Sequence, residues 1–233
     1  MATLILVRHG RSTANTAGVL AGRTGGVHLD DLGHEQATRV ASRLRDVPLA
    51  ALVSSPLLRC RETATAIATA HQPPLSVRTE RGLTECDYGA WEGRPLRELA
   101  KEKLWRTVQQ HPAAAGFPDG ETLAGMATRA VAAVRRLDAA VTEEHGAHTV
   151  WAAVSHGDLI KAILADALGL HLDLFQRIQV DPASVSLVAY GADRPMVLGV
   201  NTQEGDLGWL GHRPKRSGRG ATVGGGAGPA AQG

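Results

Sequence analysis

The sequence predicts an α/β domain with a mostly parallel central sheet and helices on both faces. Three observations lead there. Strand-like and helix-like patterns alternate along the chain, the signature of a parallel sheet covered on both sides. Two apolar runs end in His-Gly, Leu6-Val7-Arg8-His9-Gly10 and Val154-Ser155-His156-Gly157, and each reads as a buried strand running into a turn. The chain has 233 residues, 43% of them apolar, enough for one core and too few for two ordinary domains.

Residues 3–7 form the first expected strand, followed by a Gly- and Thr-rich loop. Residues 31–45 show helical spacing, with Leu32, Gln36, Val40 and Leu44 on one face and Asp31 placed to cap the start. Residues 49–54 read as a second strand. Pro56 stands at the start of a helix running to about residue 70. Residues 75–77 are a candidate third strand. The stretch 82–120 is rich in Gly, Pro, Trp and charge, with one short helix at 96–109. An insertion of this kind is usually functional, so it is read as a lid. A long Ala-rich helix at 121–144, a strand at 149–154, a helix at 159–168 with Asp158 as its cap, and strands at 184–190 and 195–200 complete a domain spanning 1–210. Residues 211–233, without periodicity, are expected to be a disordered tail.

Composition narrows the function classes. A net charge of +2, scattered along the chain, gives no footprint for nucleic acid. No segment has the length of a membrane span, and the amino terminus shows no signal-peptide pattern. Cys60 and Cys86, widely spaced, suggest neither a zinc site nor a disulfide framework. The chain is therefore expected to be a cytoplasmic protein without a metal or other cofactor. It is not expected to bind nucleic acid or membrane, and a homodimer is possible.

The expected chemistry sits at the carboxyl ends of the strands, where open α/β sheets bind ligands. His9 is a competent nucleophile near neutral pH. Arg8 offers a planar fork for two phosphate oxygens, and Gly10 allows close backbone approach. Arg59 falls in the first turn of a helix, where a cation is unfavourable, so a role at the sheet edge competes with simple pairing to Glu62. Arg61, two residues on, should point elsewhere. A carboxyl among Glu85, Asp87 and Glu92 could protonate a leaving alkoxide and later accept a proton from water. His156 at a helix start, with amides such as that of Gly157, suits a transferring phosphoryl group. The other eight histidines are read as surface residues. Arg94, Arg97, Lys101, Lys103 and Arg106 are either a second anion site or a solvated helix face, with the latter preferred. Tyr88, Trp91 and Trp105 either wall a leaving-group pocket or pack the lid.

Together the motifs LVRHGRSTAN at 6–15, LDDLGHEQA at 29–37, SSPLLRCRETA at 54–64, LTECDYGAWEG at 83–93 and VSHGD at 154–158 resemble the histidine phosphatase (phosphoglycerate mutase-like) superfamily over about residues 3–200. The resemblance implies that His9 carries the phosphoryl group, that Arg8, Arg59 and His156 form the phosphate pocket with Asn15 and the Gly22 backbone at its margin, and that Glu85 is the proton donor. Two positions depart from common patterns. Gly157 stands where the acid phosphatase branch has an aspartate, and Arg11 stands where an acidic or amide residue is usual, adding positive charge. The short insertion without an adjacent arginine pair resembles the phosphatase branch. A metal-independent phosphomonoesterase acting on a small phosphorylated metabolite through phosphohistidine is the expected activity, with phosphomutase as the alternative and a non-catalytic phospho-ligand binder as a third reading.

Overall fold

The computed structural model describes residues 2–191, 193–205 and 207–211. The expected tail at 211–233 lies, apart from Gly211, outside the described residues. In chain order the elements are β1 (Ala2–Arg8), α1 (Thr13–Ala17), α2 (Asp31–Leu44), β2 (Leu49–Ser54), α3 (Leu58–Ala70), β3 (Val77–Thr79), α4 (Leu96–Leu99), α5 (Lys103–Gln110), α6 (Leu123–His145), β4 (Val150–Ser155), α7 (Gly157–Ala167), β5 (Val185–Tyr190) and β6 (Pro195–Thr202). Short 3-10 turns join several of them.

One six-stranded sheet runs in the order β3-β2-β4-β1-β5-β6. The pairs β3–β2, β2–β4 and β4–β1 are parallel, while β1–β5 and β5–β6 are antiparallel. The α/β fold with a mostly parallel sheet is therefore as the sequence predicted. Period-two alternation sorts the strand residues between two layers. Leu4, Leu6, Trp151 and Ala153 pack under α6 and α7, whereas Ile5, Val7, Ala152 and Val154 pack under α2 and α3.

Several boundaries differ from expectation, each for a physical reason. The α2 cap is Asp30, whose carboxylate accepts from the Gly33 amide at 2.8 Å, rather than Asp31. Pro56 precedes α3 by two residues, and the helix opens at Leu58 without a side-chain cap. The third strand is displaced to Val77–Thr79, where it finds its partner in the end of β2. The single helix expected at 96–109 is two, because the chain turns over Ala100–Glu102 before α5 begins. The long helix begins after Thr122, which caps Gly125, so Glu121 lies just outside it. His156, not Asp158, occupies the cap position of α7; Asp158 instead accepts from the Tyr88 hydroxyl at 2.9 Å.

Residues 82–120 are knitted into the core. Leu83, Tyr88, Trp91, Leu99 and Phe117 are buried in the layer beneath α6 and α7. Trp91 stacks on Trp105 at 6.2 Å and meets Phe117 edge-on at 5.3 Å, so these aromatics pack the segment down. His71 departs from its expected surface position. It is buried, with its two ring nitrogens against the carbonyls of Ile67 and Val47 at 3.0 and 3.2 Å.

Candidate active site

Parallel pairing places Arg8 of β1 opposite Ser155 of β4. The next residue of each strand, His9 and His156, therefore leaves the sheet beside the other, with ring centroids 5.3 Å apart. Ser54 of β2 sits opposite Val154, which brings Ser55 level with the same strand ends. The α3 helix follows from β2 and carries Arg59 in its first turn, over both imidazoles. Three adjacent strand ends thus deliver the cluster, at the edge where parallel sheets bind ligands.

The tautomer of His9 follows from its bonds. Nδ1 lies 2.7 Å from the Gly10 carbonyl, which can only accept, so Nδ1 carries the proton. Nε2 then presents its lone pair and accepts from Arg59 Nε at 3.2 Å. Burial, then the charges of Arg59 and Arg8, hold the His9 pKa well below its ordinary value. The imidazole is a neutral ring with its unprotonated nitrogen facing the cationic cluster. The Gly10 amide donates to Thr63 Oγ1 at 3.1 Å, which ties the His9 turn to α3.

His156 is fully buried. Its Nε2 faces Ser55 Oγ at 2.8 Å, and its Nδ1 receives Arg59 Nη2 at 3.1 Å. Burial and the neighbouring Arg59 lower its pKa strongly as well. Arg59 is 2% exposed and also donates through Nη2 to the Gly22 carbonyl at 2.8 Å. Arg8 donates to the Val180 carbonyl at 2.7 Å and packs beside Gly157, where an added Cβ would lie 3.5 Å from its guanidinium carbon. Arg8 Nε and Arg59 Nη1 are buried without a hydrogen-bond partner among the described residues. Unmet buried donors are costly. Two guanidinium donors beside two neutral imidazoles fit an oxyanion.

Glu85 closes the site. Its Oε2 lies 4.0 Å from His156 Nδ1, and its Oε1 accepts from the Cys86 amide at 2.9 Å. Burial, reinforced by the charge of Asp158, raises its pKa to about 7. The competing acids are engaged elsewhere: Asp87 pairs with Arg23, and Glu92 accepts from the amides of Arg23 and Tyr88. Among the described residues no group of three or more His, Cys, Asp or Glu side chains is arranged to hold a metal ion.

The structure thus gathers Arg8, His9, Arg59, Glu85 and His156, with the Gly22 carbonyl and Gly157 at their border. Asn15 is exposed, and its Oδ1 is held by Ser12 in the capping box of α1. Arg61 is exposed, as expected. Glu62 does not pair with Arg59; it accepts from the Leu29 amide and meets His28. Arg11 adds little free charge, since its Nε lies 2.7 Å from Asp30. Sequence reasoning missed Ser55 and Thr63, although both lie inside a quoted motif. It also missed Arg23 and Arg129, which both donate to the Glu85 carbonyl from distant segments, and Glu121, which accepts from both arginines.

Fold and cluster define a phosphoryl-transfer site built on a histidine. Residues 4–203 match the histidine phosphatase superfamily (branch 1), and the chain belongs to that family. A probable phosphoglycerate mutase GpmB from Yersinia enterocolitica is 32% identical over 192 residues, 82% of this chain and 86% of that protein. Among solved structures, Bacillus stearothermophilus YhfR superposes with a TM-score of 0.77 at 25% identity, covering 90% of this chain and all of that one. Mycobacterial glucosyl-3-phosphoglycerate phosphatase Rv2419c, in its complex with VO3, gives 0.77 and 25%, over 85% and 98% of the two chains. The protein is a histidine phosphatase superfamily enzyme, a phosphatase or a mutase.

Proposed function

We propose that this enzyme is a metal-independent phosphomonoesterase that hydrolyses a small phosphorylated metabolite through a phosphohistidine on His9. The observation that carries the reading is the neutral His9 Nε2 lone pair beside Arg8 and Arg59, each with a buried unpaired donor, and a carboxyl raised to about 7. In the first step Nε2 attacks phosphorus, the P–O bond breaks, and Glu85 gives its proton to the departing alkoxide. In the second, the Glu85 carboxylate takes a proton from water as that water attacks phosphorus. The P–N bond breaks, inorganic phosphate leaves, and His9 and Glu85 return to their starting forms. Arg8, Arg59 and His156 hold the equatorial oxygens throughout, with Gly22 and Gly157 bordering the pocket.

Hydrolysis is favoured over transfer to a second phosphorylated alcohol by how the neighbouring cations are used. Arg11, Arg23 and Arg94 each have acidic partners, Asp30, Asp87 with Glu121, and Glu102. That leaves the pocket with Arg8 and Arg59 and one bound anion as its natural load. The mutase reading draws on the GpmB relative.

Labelled phosphomonoester in chelator separates the two. Acid-labile label on the protein that decays as free phosphate appears, lost in His9→Ala and kept in Arg61→Ala, is the expected result. Label that leaves only when a second phosphorylated alcohol is supplied would make the enzyme a mutase. Equal losses in both variants would overturn the pocket assignment.

A further inference from the structure

Glu85 lies in the irregular link between two short 3-10 turns, Arg81–Leu83 and Gly89–Trp91, outside any strand or α-helix, so contacts from elsewhere must hold its backbone in place. Two arginines from distant parts of the chain do so. Arg23 Nε donates to the Glu85 carbonyl at 3.0 Å, and Arg129 Nη2 donates to the same oxygen at 2.9 Å. Arg129 also donates to the Gly82 carbonyl, and Glu121 joins the pair by accepting from Arg23 at 3.0 Å and from Arg129 at 2.6 Å. The remaining Arg23 nitrogen, Nη1, reaches Asp87 at 3.2 Å. Two guanidinium nitrogens of Arg23, Nε and Nη1, are thereby committed to the segment carrying Glu85, and the third, Nη2, to Glu121. The neighbouring residue adds the second half of the link, because the Gly22 carbonyl accepts from Arg59. Gly22 has a φ of 49°, and a Cβ there would collide with the Glu92 side chain, so this step of the loop is sterically fixed. One peptide step, Gly22–Arg23, thus touches the phosphate-binding arginine on one side and the acid-bearing backbone on the other.

We propose that Arg23 is a positioning residue that sets the distance between Glu85 and the phosphate pocket, with Glu121 and Arg129 bracing it. The proposal rests on the reading of Glu85 as the proton donor. Arg23 does not touch the substrate; it acts through Glu85. Its guanidinium is needed as a fork, since one nitrogen cannot serve a carbonyl and two carboxylates at once.

The test compares an alkyl phosphate, which requires protonation of its leaving group, with an activated aryl phosphate, which does not. Arg23→Met is expected to lower kcat on the alkyl ester by about 100-fold, the cost of an ångström-scale misplacement, with only a few-fold loss on the aryl ester. Glu121→Gln, which preserves shape and weakens the brace, should shift the ratio in the same direction. It keeps the comparison available if Arg23→Met folds poorly. Arg39→Met, in an exposed pair with Glu35, is the surface control. Glu85→Gln is measured in parallel. If Glu85→Gln discriminates between the esters while Arg23→Met and Glu121→Gln lower both equally, the positioning role is overturned and the Glu85 reading survives. If Glu85→Gln itself lowers both equally, Glu85 is not the acid and the proposal falls with it.

Discussion

At the scale of single residues, the site works by setting protonation states through burial. His9 and His156 are kept neutral because a low-dielectric pocket that already holds two guanidinium groups disfavours a further cation. The same burial disfavours the Glu85 anion and raises its pKa to about 7. Under the proposed function, the free enzyme at neutral pH therefore holds His9 as an unprotonated nucleophile and Glu85 as an acid poised to give or take a proton. The expected outcome is a kcat/KM profile for an alkyl phosphate that falls tenfold per pH unit above about 7, as Glu85 in the free enzyme loses its proton. Glu85→Gln should remove that limb while lowering the plateau, and a limb that persists in the variant would assign it to another group. His9 and His156 were legible in the sequence, because each sits in a short motif whose neighbours announce a strand end or a helix start, whereas Glu85 was one of three candidate acids until the family resemblance singled it out. What Arg23, Glu121 and Arg129 do was not legible. Their contacts with Glu85 and Asp87 span 34 to 64 residues, and no local pattern encodes such a meeting.

At the scale of elements, the loop after β1 depends on the start of α2. Asp30 caps that helix through Gly33 and also accepts from Thr16 and Arg11. These bonds, led by Thr16, hold its pKa below the ordinary carboxylate value. The helix comes so close to the His9 turn that a Cβ on Gly33 would collide with the Arg11 carbonyl, and one on Gly10 would lie 2.5 Å from the Gly33 oxygen. The glycine pair is a packing requirement. Asp30→Ala should cost about 1–2 kcal/mol at neutral pH, from the lost cap and the lost partner of Arg11. In a domain of this size that is a fall in Tm of about 2–8 °C. A depressed folded-state pKa gives stability that is present above the unfolded value and lost as pH falls through the folded one. The difference between wild type and variant should therefore shrink below about pH 4. A difference unchanged in acid would show that the carboxylate is not what stabilises the helix start. The existence of α2 was readable from its periodicity. Its cap was not, since Asp30 and Asp31 are adjacent and only the entry angle of the chain decides between them. The break between α4 and α5 was likewise hidden, because both halves share apolar spacing and the turn between them contains neither Gly nor Pro.

At the scale of the whole molecule, the sheet order brings together three strand ends from residues 8, 54 and 155, and the fold holds two arginines there with donors unmet among the described residues. Such an arrangement is costly to the apo state, since an unpaired buried donor forfeits its hydration and gains nothing in exchange. A tetrahedral or trigonal oxyanion should recover that cost by accepting from Arg8 Nε and Arg59 Nη1 at once. Binding to the folded state alone then raises stability by mass action, by about 2.7 kcal/mol at a free concentration 100 times Kd. For a chain of this length the expected rise in Tm is about 5–10 °C. Orthovanadate is the suitable probe, because it acts at concentrations too low for the general salting-out effect of kosmotropic anions. The shift should be retained in Arg61→Ala, whose guanidinium is exposed, and lost in Arg59→Met, which removes one of the two donors. A shift of equal size in Arg59→Met would place the anion elsewhere on the protein. The absence of any shift in the wild type would mean that the two buried guanidinium groups are not held open for an anion, and the phosphoryl-transfer geometry would need a different ligand to account for them.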